Sequence, residues 1–217
     1  MKIAIIGANG KTGTEVVNRA LARGHDVRAG YYGLPPVQTP NQSLTILKCN
    51  ATVREDVEKL LDGVDAVVLT LGHTKRTPPT MQADATRLVL DIMKEKGIQR
   101  IVSLTGVGVV VSGDKRRLFE RIFNILFARV QAVRVRDGEA HHALIVQSDR
   151  RWTVFRAFKL TNGEAEPWSL KANVPGMLLT SRKTVAEAMV RVIEDDSHLS
   201  ESPVFAARKN NTIAKEL

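Results

Sequence analysis

The chain contains a single cysteine, Cys49, so no disulfide can form within it. A small secreted scaffold held together by disulfides is therefore excluded, and so are zinc sites built from paired cysteines. A lone thiol is typical of a reducing compartment, and we expect a cytoplasmic protein without a metal site.

Long hydrophobic runs are missing as well. No apolar stretch approaches the ~18 residues that a membrane-spanning helix needs. The stretch Ile3–Ile6 is too short for the apolar core of a signal peptide and leads directly into Gly7. What the chain does have is the composition of a globular domain, with 217 residues of which 43% are hydrophobic.

Acidic residues are scarce in two places, and the formal net charge of the chain is +9. None occurs from Val27 to Arg54, and residues 115–136 hold seven cations and one acid, interleaved with apolar residues. A basic amphipathic helix at 115–136 could contact an anionic membrane or a partner. An external helix of an α/β fold needs an apolar face anyway, so we favour packing on the domain. Without a recognisable binding motif, we expect no nucleic-acid partner.

Short β-branched runs alternate with stretches of helical periodicity along the chain. The predicted strands are Lys2–Gly7, His25–Tyr31, Leu44–Cys49, Ala66–Leu71, Arg100–Thr105, Trp152–Arg156 and 203–207. The predicted helices are Thr12–Arg23, one that begins with a capping box of Thr52 and Glu55, Thr80–Lys96, about Asp114–Gln131, about Arg136–Gln147 and Arg182–Glu194. Such alternation predicts an α/β fold, a doubly wound, Rossmann-like parallel sheet with helices on both faces, in a single domain spanning 1–217.

The turn between the first strand and the first helix has the pattern G-x-x-G-x-x-G over residues 7–13. Glycines at these positions let a pyrophosphate approach the amides and the positive dipole at the start of the helix. Glycine triplets are common in loops, but this one stands at the strand–helix junction that the mechanism needs. We therefore predict a dinucleotide site, with a tight turn that binds nothing as the alternative.

The residues near the second strand indicate which dinucleotide binds. NAD sites place a carboxylate on the ribose about 20 residues after the turn. Here Asp26 comes too early, and no acid follows until the second helix. Lys11 and Arg28 are nearby cations, although both could be ordinary surface residues, and Tyr31 or Tyr32 could flank the adenine or the phosphate. We predict NADP, with NAD as the alternative.

Several stretches together resemble a known family. They are KIAIIGANGKTG at the start, DGVDAVVLTLG at 62–72 and MKEKGIQRIVSLTGVG at 93–108, with looser agreement at 150–163 and 181–195. The chain is similar to the atypical short-chain dehydrogenase/reductases, in the NmrA-like NAD(P)-binding group that includes biliverdin/flavin reductases and proteins of the NADH-flavin reductase type. The resemblance implies an NAD(P)-binding domain with a small substrate-side region, mainly at about 107–135 and 157–180.

Carried over residue by residue, the resemblance implies a row of cofactor contacts. These are Gly7, Asn9, Gly10, Lys11, Thr12 and Gly13 at the phosphates, Asn50 and Ala51 by the adenine, Leu71 and Gly72 along the ribose, and Thr105 and Gly106 near the nicotinamide, with Lys159 facing the same place. Three positions depart from the family. Tyr32 stands where an arginine often binds the 2′-phosphate, Asn50 replaces an Asp, and Ala157 and Phe158 replace a Pro-Pro turn after Arg156.

The catalytic pair of ordinary short-chain dehydrogenases, Tyr-x-x-x-Lys, is absent, because neither tyrosine has a lysine four residues later. Hydride transfer to a flavin or quinone ring demands less of the protein. Lys159, His142 and His73 are candidate helper acids. We expect an NAD(P)H-dependent oxidoreductase that transfers hydride to a planar acceptor such as a flavin or quinone. The alternative is a non-catalytic NmrA-like redox sensor that binds the dinucleotide and acts through a protein partner.

Overall fold

The computed structural model describes residues 1–35, 41–74, 77–106, 109, 111, 131–172 and 177–207. Ten strands and five helices lie within these ranges. In chain order they are β1 (Lys2–Ile6), α1 (Lys11–Ala22), β2 (Asp26–Tyr31), β3 (Leu44–Lys48), α2 (Arg54–Leu60), β4 (Ala66–Leu69), α3 (Met81–Glu95), β5 (Arg100–Gly106), α4 (Ala132–Gln147), β6 (Arg151–Ala157), β7 (Lys159–Thr161), β8 (Trp168–Lys171), β9 (Leu179–Ser181), α5 (Arg182–Glu194) and β10 (Val204–Ala207).

Eight of the strands form one sheet in the order β3-β2-β1-β4-β5-β6-β10-β8. Neighbours pair in parallel from β3 to β10, and β8 pairs with β10 in the antiparallel sense. β7 and β9 form a separate parallel pair. The predicted doubly wound α/β fold is confirmed. The strand order reverses between β1 and β4, and this leaves a crevice at the carboxyl ends of the strands, where ligands bind in folds of this kind.

Helices cover both faces of the sheet, and each face has its own apolar core. Successive residues of β1 serve opposite faces, with Ile5 packing beneath α1 and α5 and Ile6 packing beneath α2 and α3. This alternation is the period of two that a strand imposes on its side chains. A strand buried on both faces has no polar position, which is why β1 and β4 read as unbroken apolar runs.

The structure corrects the prediction for the second helix. The capping box of Thr52 and Glu55 does not form, because α2 begins after Val53 and has no side-chain cap. Oδ1 of Asn50 accepts hydrogen bonds from both the amide and the hydroxyl of Thr52, so Thr52 belongs to a turn ahead of the helix. Asp56 then reaches back to the Asn50 amide at 2.8 Å.

Other differences lie in the second half of the chain. α4 begins at Ala132, four residues earlier than predicted, and the short strands β7, β8 and β9 were not predicted. Strands of three or four residues carry too little alternation to stand out from a loop. The predicted helix at Asp114–Gln131, and with it most of the basic segment 115–136, lies outside the described residues.

Candidate functional site

The glycine-rich turn brings the start of α1 directly against the end of β1. Gly7 has a φ of +85°, in the left-handed region that favours glycine, and its amide and that of Ala8 both donate to the Gly30 carbonyl, at 3.1 and 2.9 Å. A Cβ at Gly13 would overlap the Gly7 carbonyl and lie 2.9 Å from Ala8 Cα. These two glycines are therefore required by the close approach of helix and strand.

The N-terminus of α1 is open to an anion. Gly10 is its N-cap, no side chain caps it, and its first turn contains no acidic residue. Asn9, Gly10 and Lys11 are exposed there. In α5, by contrast, Ser181 Oγ accepts from the Thr184 amide at 3.0 Å. First-turn amides without a cap and the positive end of the helix dipole are the donor set that a pyrophosphate requires, so the turn fits a dinucleotide.

Asn9 connects this turn to the end of β2. Its Nδ2 donates to the carbonyls of Tyr32 and Leu34, at 2.8 and 3.0 Å. Tyr32 is 67% exposed beside the turn, and Tyr31 is half-buried at the last position of β2. The structure thus brings together the predicted residues of the turn and both tyrosines.

Arg28 is not brought to this edge. It lies in the middle of β2, and its guanidinium donates to the carbonyls of Leu60 at 2.9 Å and Lys59 at 2.5 Å. These carbonyls belong to the C-terminal end of α2, where a cation also complements the helix dipole. In this structure Arg28 caps α2.

Lys48, at the end of β3, is a residue that sequence reasoning missed. The predicted adenine residues Asn50 and Ala51 lie here, and the carboxylate of Asp56 accepts from the Asn50 amide. Burial, with a smaller contribution from Asp56, raises the pKa of the Cys49 thiol to about 12. Lys48, the last residue of β3, is exposed and in register with Tyr31. A strand register is needed to see that Lys48 and Tyr31 are neighbours.

A cleft of about 380 Å³ opens at the carboxyl ends of β4, β5 and β6, beside the start of α1. Five predicted cofactor residues line it, namely Thr12, Leu71, Gly72, Thr105 and Gly106. The apolar part of the remaining lining comes from β5 to β7, the segments that follow them and α4: Leu104, Val109, Ala157, Phe158, Leu160 and Val135. The polar part is Thr70 and His73, which follow β4, Gln82 of α3 and Arg134 of α4. Both predicted substrate-side ranges contribute residues to this wall.

One wall of the cleft is organised by Asp137 of α4, another residue that sequence reasoning missed. Its carboxylate accepts from the first-turn amides of α3, Gln82 at 2.8 Å and Ala83 at 2.9 Å, and its Oδ2 lies 2.7 Å from His73 Nε2. Gln82 Nε2 in turn donates to the Leu71 carbonyl at 2.6 Å. Asp137 lies on the buried side of α4 together with Gly138, His141 and Ile145, and the sequence alone gives no signal that this carboxylate is buried.

His141 lies one turn further along α4 and is 2% exposed. The Thr86 hydroxyl donates to the Gln82 carbonyl at 2.6 Å, so it accepts from His141 Nδ1, also at 2.6 Å. Nε2 is then the acceptor for the Ser103 hydroxyl at 2.7 Å. Burial, assisted by His142, lowers the pKa of His141 to about 4, while Asp137 opposes this shift. His141 is therefore a neutral residue of the interior.

The other two candidate acids lie elsewhere. His142 Nε2 is 2.7 Å from Ser202 Oγ, and its ring meets Trp152 edge to face. Lys159 is exposed, and it is not among the residues that line the cleft, although its neighbours Phe158 and Leu160 are. Of the three candidates, His73 is the one that lines the cleft.

Two properties of the described residues bear on other functions. Over the described ranges, no helix has both the length and the apolarity to cross a membrane. In the same residues, no group of three or more His, Cys, Asp or Glu is placed to hold a metal ion.

Comparison with known proteins agrees with this geometry. Residues 7–196 match the family model described as NAD(P)H-binding. The uncharacterized protein YwnB of Bacillus subtilis (strain 168) is 31% identical over 108 residues, which are 50% of this chain and 48% of that protein. The match thus spans about half the length of this curated relative.

Solved structures share the fold over almost the whole chain. The oxidoreductase ylbE of Lactococcus lactis matches with a TM-score of 0.76 at 14% identity, over 96% of this chain and 92% of its own. A short-chain dehydrogenase/reductase of Veillonella parvula DSM 2008, in complex with NADP, matches with a TM-score of 0.75 at 16% identity, over 97% and 95%. SP1627 of Streptococcus pneumoniae TIGR4, a candidate NADH-flavin reductase, matches with a TM-score of 0.77 at 21% identity, over 96% and 100%. At these identities the likeness shows the fold.

Proposed function

The chain belongs to the NAD(P)H-binding family, and from that premise we propose that it is an NAD(P)H-dependent reductase of a planar acceptor such as a flavin or quinone. The observation that carries the proposal is the cleft, which begins at the start of α1 and continues over the ends of β4, β5 and β6. A dinucleotide that starts at the glycine-rich turn and crosses the strand reversal would end in this cleft. The bound cofactor would supply the hydride.

In this proposal the chain binds and orients two flat molecules. The first-turn amides of α1 hold the phosphates, Tyr31 and Tyr32 flank the adenosine end, and Thr105 and Gly106 contact the nicotinamide. Leu104, Phe158 and the other apolar residues of the lining exclude water and stack against the acceptor. A volume of about 380 Å³ falls within the range of small-molecule sites.

We propose NADP as the preferred cofactor. No acid occurs from Val27 to Arg54, and Asp56 is engaged with the Asn50 amide. Lys48, which is in register with Tyr31 at the end of β2, and Lys11, the first residue of α1, are exposed cations. The Veillonella structure with NADP is compatible with this choice. A carboxylate at the ribose would repel a 2′-phosphate, whereas these cations would attract it.

The cleft also indicates the charge of the acceptor. Arg134 of α4 is exposed and lines it, and no carboxylate is among the lining residues that the structure describes. A cation at the mouth of an apolar cleft favours an acceptor that carries an anionic group, such as FMN. We place the reaction in the cytoplasm, where a lone, buried thiol such as Cys49 stays reduced.

The test separates binding from turnover. Calorimetry with NADPH and NADH should give a dissociation constant well below millimolar for at least one of them, with NADPH binding more tightly. Oxidation of NADPH at 340 nm should then be saturable in FMN or in menadione. Binding without turnover would instead support the redox sensor, and absence of binding would reject both functions.

A further inference from the structure

A histidine in the wall of the cleft is held by a buried carboxylate. His73 follows β4 and lines the cleft, and its side chain is 6% exposed. Its Nε2 lies 2.7 Å from Oδ2 of Asp137, whose side chain is 1% exposed. The two residues are 64 positions apart in the sequence, so the fold creates the pair.

The other partners of Asp137 decide which nitrogen of His73 carries the hydrogen. Both oxygens of Asp137 accept from amides of α3, those of Gln82 and Ala83. Two amide donors stabilise the ionised form of this carboxylate, so we assign Nε2 of His73 as the donor in the pair. Within the described ranges Nδ1 has no hydrogen-bond partner, and it is the ring nitrogen left for a molecule in the cleft.

We propose that protonated His73 donates the proton that completes reduction of the acceptor, and that Asp137 positions its ring. This role rests on the proposed reductase function. With the hydride, the acceptor gains two electrons and one hydrogen and carries one more negative charge. The proton then moves from Nδ1 of His73 to that anion, and solvent reprotonates the neutral imidazole before the next turnover. One NAD(P)H, one acceptor and one proton yield NAD(P)⁺ and the two-electron-reduced acceptor.

The charged groups around His73 suit this role. Asp137 faces the ring from α4 and holds its orientation through the 2.7 Å contact with Nε2, and the exposed cation of Arg134, on the same helix, would attract an anion into the cleft. His141 also lies on α4, but burial lowers its pKa to about 4, so it does not compete as a cation for Asp137. On α3, the Asp84 carboxylate accepts from Thr80 Oγ1 at the surface.

The test compares His73→Gln with His25→Gln in the full chain, with NADPH and menadione. Glutamine at 73 can still donate to Asp137 but cannot transfer a proton. We expect kcat to fall by about 100-fold or more, with unchanged affinity for NADPH and an unchanged thermal midpoint. Wild-type kcat should decrease as pH rises, whereas the His73→Gln profile should be flat. His25, whose Nε2 is 2.9 Å from a Glu194 oxygen and whose side chain is 8% exposed, is a matched pair outside the cleft, so His25→Gln should keep the wild-type kcat and profile.

A second measurement does not depend on turnover. 2,4-Dinitrophenolate is a planar anion that stays ionised at mildly acidic pH, can be followed by its absorbance and mimics the monoanion of a reduced quinone. Below the pH at which the wild-type rate declines, the wild type should bind it about tenfold more tightly than His73→Gln does, which corresponds to about 1.4 kcal/mol. Added imidazole should also restore part of the kcat of His73→Gly.

The possible results distinguish the role of His73 from the reductase function on which it rests. Wild-type kcat in His73→Gln would overturn the role of His73 and leave the reductase intact. A loss of kcat together with a lower thermal midpoint, an unchanged pH profile and equal 2,4-dinitrophenolate affinity would assign a structural role and overturn the proposal as well. If the wild type binds NADPH but reduces neither quinone nor flavin, the reductase function fails, and the proton-donor role fails with it.

Discussion

Lowering the pH should destabilise this protein through one buried imidazole, that of His141. Its pKa is lowered from 6.5 to about 4, chiefly because the 2% exposed ring would have to carry a charge away from water. The unfolded chain therefore binds a proton at a pH where the folded chain does not. The contribution of His141 to stability is complete above about pH 6.5 and is lost as the pH falls toward 4.

The size of the effect follows from the shift. Two and a half pKa units correspond to about 3 kcal/mol of unfolding free energy, and by about pH 5 roughly 2 kcal/mol of this should be gone. That is a large fraction of the 5–15 kcal/mol that holds a typical domain together. The Thr86 and Ser103 hydroxyls already satisfy the neutral ring, so protonation gains little from them.

Urea denaturation of the wild type and of His141→Gln, at about pH 7.5 and about pH 5, measures this contribution. All other titrating groups are common to both proteins, so the wild type should lose about 2 kcal/mol more than the variant. Equal losses would refute the reasoning. If the variant is too unstable to compare, the Cε1 proton of His141 can be followed by NMR in the wild type, and a titration near pH 6.5 would refute it equally.

Three further substitutions test these assignments, and a fourth, Gly163→Ala, is the control for the first. Gly13→Ala should lower the unfolding free energy by about 1–3 kcal/mol, because its Cβ would overlap a carbonyl. In Gly163→Ala the nearest atom is 3.9 Å away, and urea denaturation should detect less than about 0.5 kcal/mol. Arg28→Ala should cost about 1 kcal/mol through the lost cap of α2, yet calorimetry should find the preference between NADPH and NADH unchanged. Arg134→Ala should raise the KM for FMN by about threefold to tenfold but not that for riboflavin, which has the same ring without the phosphate. An equal rise in KM for both flavins would exclude a contact between Arg134 and the phosphate.

The sheet and most helices were predictable because their signals are local. A strand buried on both faces, such as β1, can be recognised from its run of apolar residues and the glycine that follows it. A helix that buries one face, such as α3, can be recognised from the helical spacing of its apolar residues and the glycine that ends it. The turn at residues 7–13 was predictable for the same reason, since its glycines serve a contact between adjacent elements. The prediction of where α2 begins was wrong because the side chain of Asn50 accepts hydrogen bonds from the amide and the hydroxyl of Thr52. The sequence allowed two local hydrogen-bonding patterns for Thr52, a turn and a helix cap, and the turn forms.

The contacts that organise the cleft are not local. His73 reads in the sequence as a polar loop residue, and Asp137 reads as one more charge in a helix. Only the packing of α4 against α3 brings the carboxylate onto two amides and an imidazole. Arg28 is the opposite case. Its position in the sequence suggested a contact with the cofactor, but the fold directs its side chain to the end of α2.

The edge of the sheet beyond β6 places a constraint on synthesis. In the part of the chain that the structure describes, β8 (Trp168–Lys171) joins the sheet by pairing with β10 (Val204–Ala207), which follows it by more than thirty residues and lies between it and β6. On the ribosome, β1 to β5 can pair as they emerge, whereas β8 has no partner until residues 204–207 have been made. The strands that flank the glycine-rich turn can therefore pair early in the life of the nascent chain, and the edge of the sheet formed by β10 and β8 is the last part to be completed.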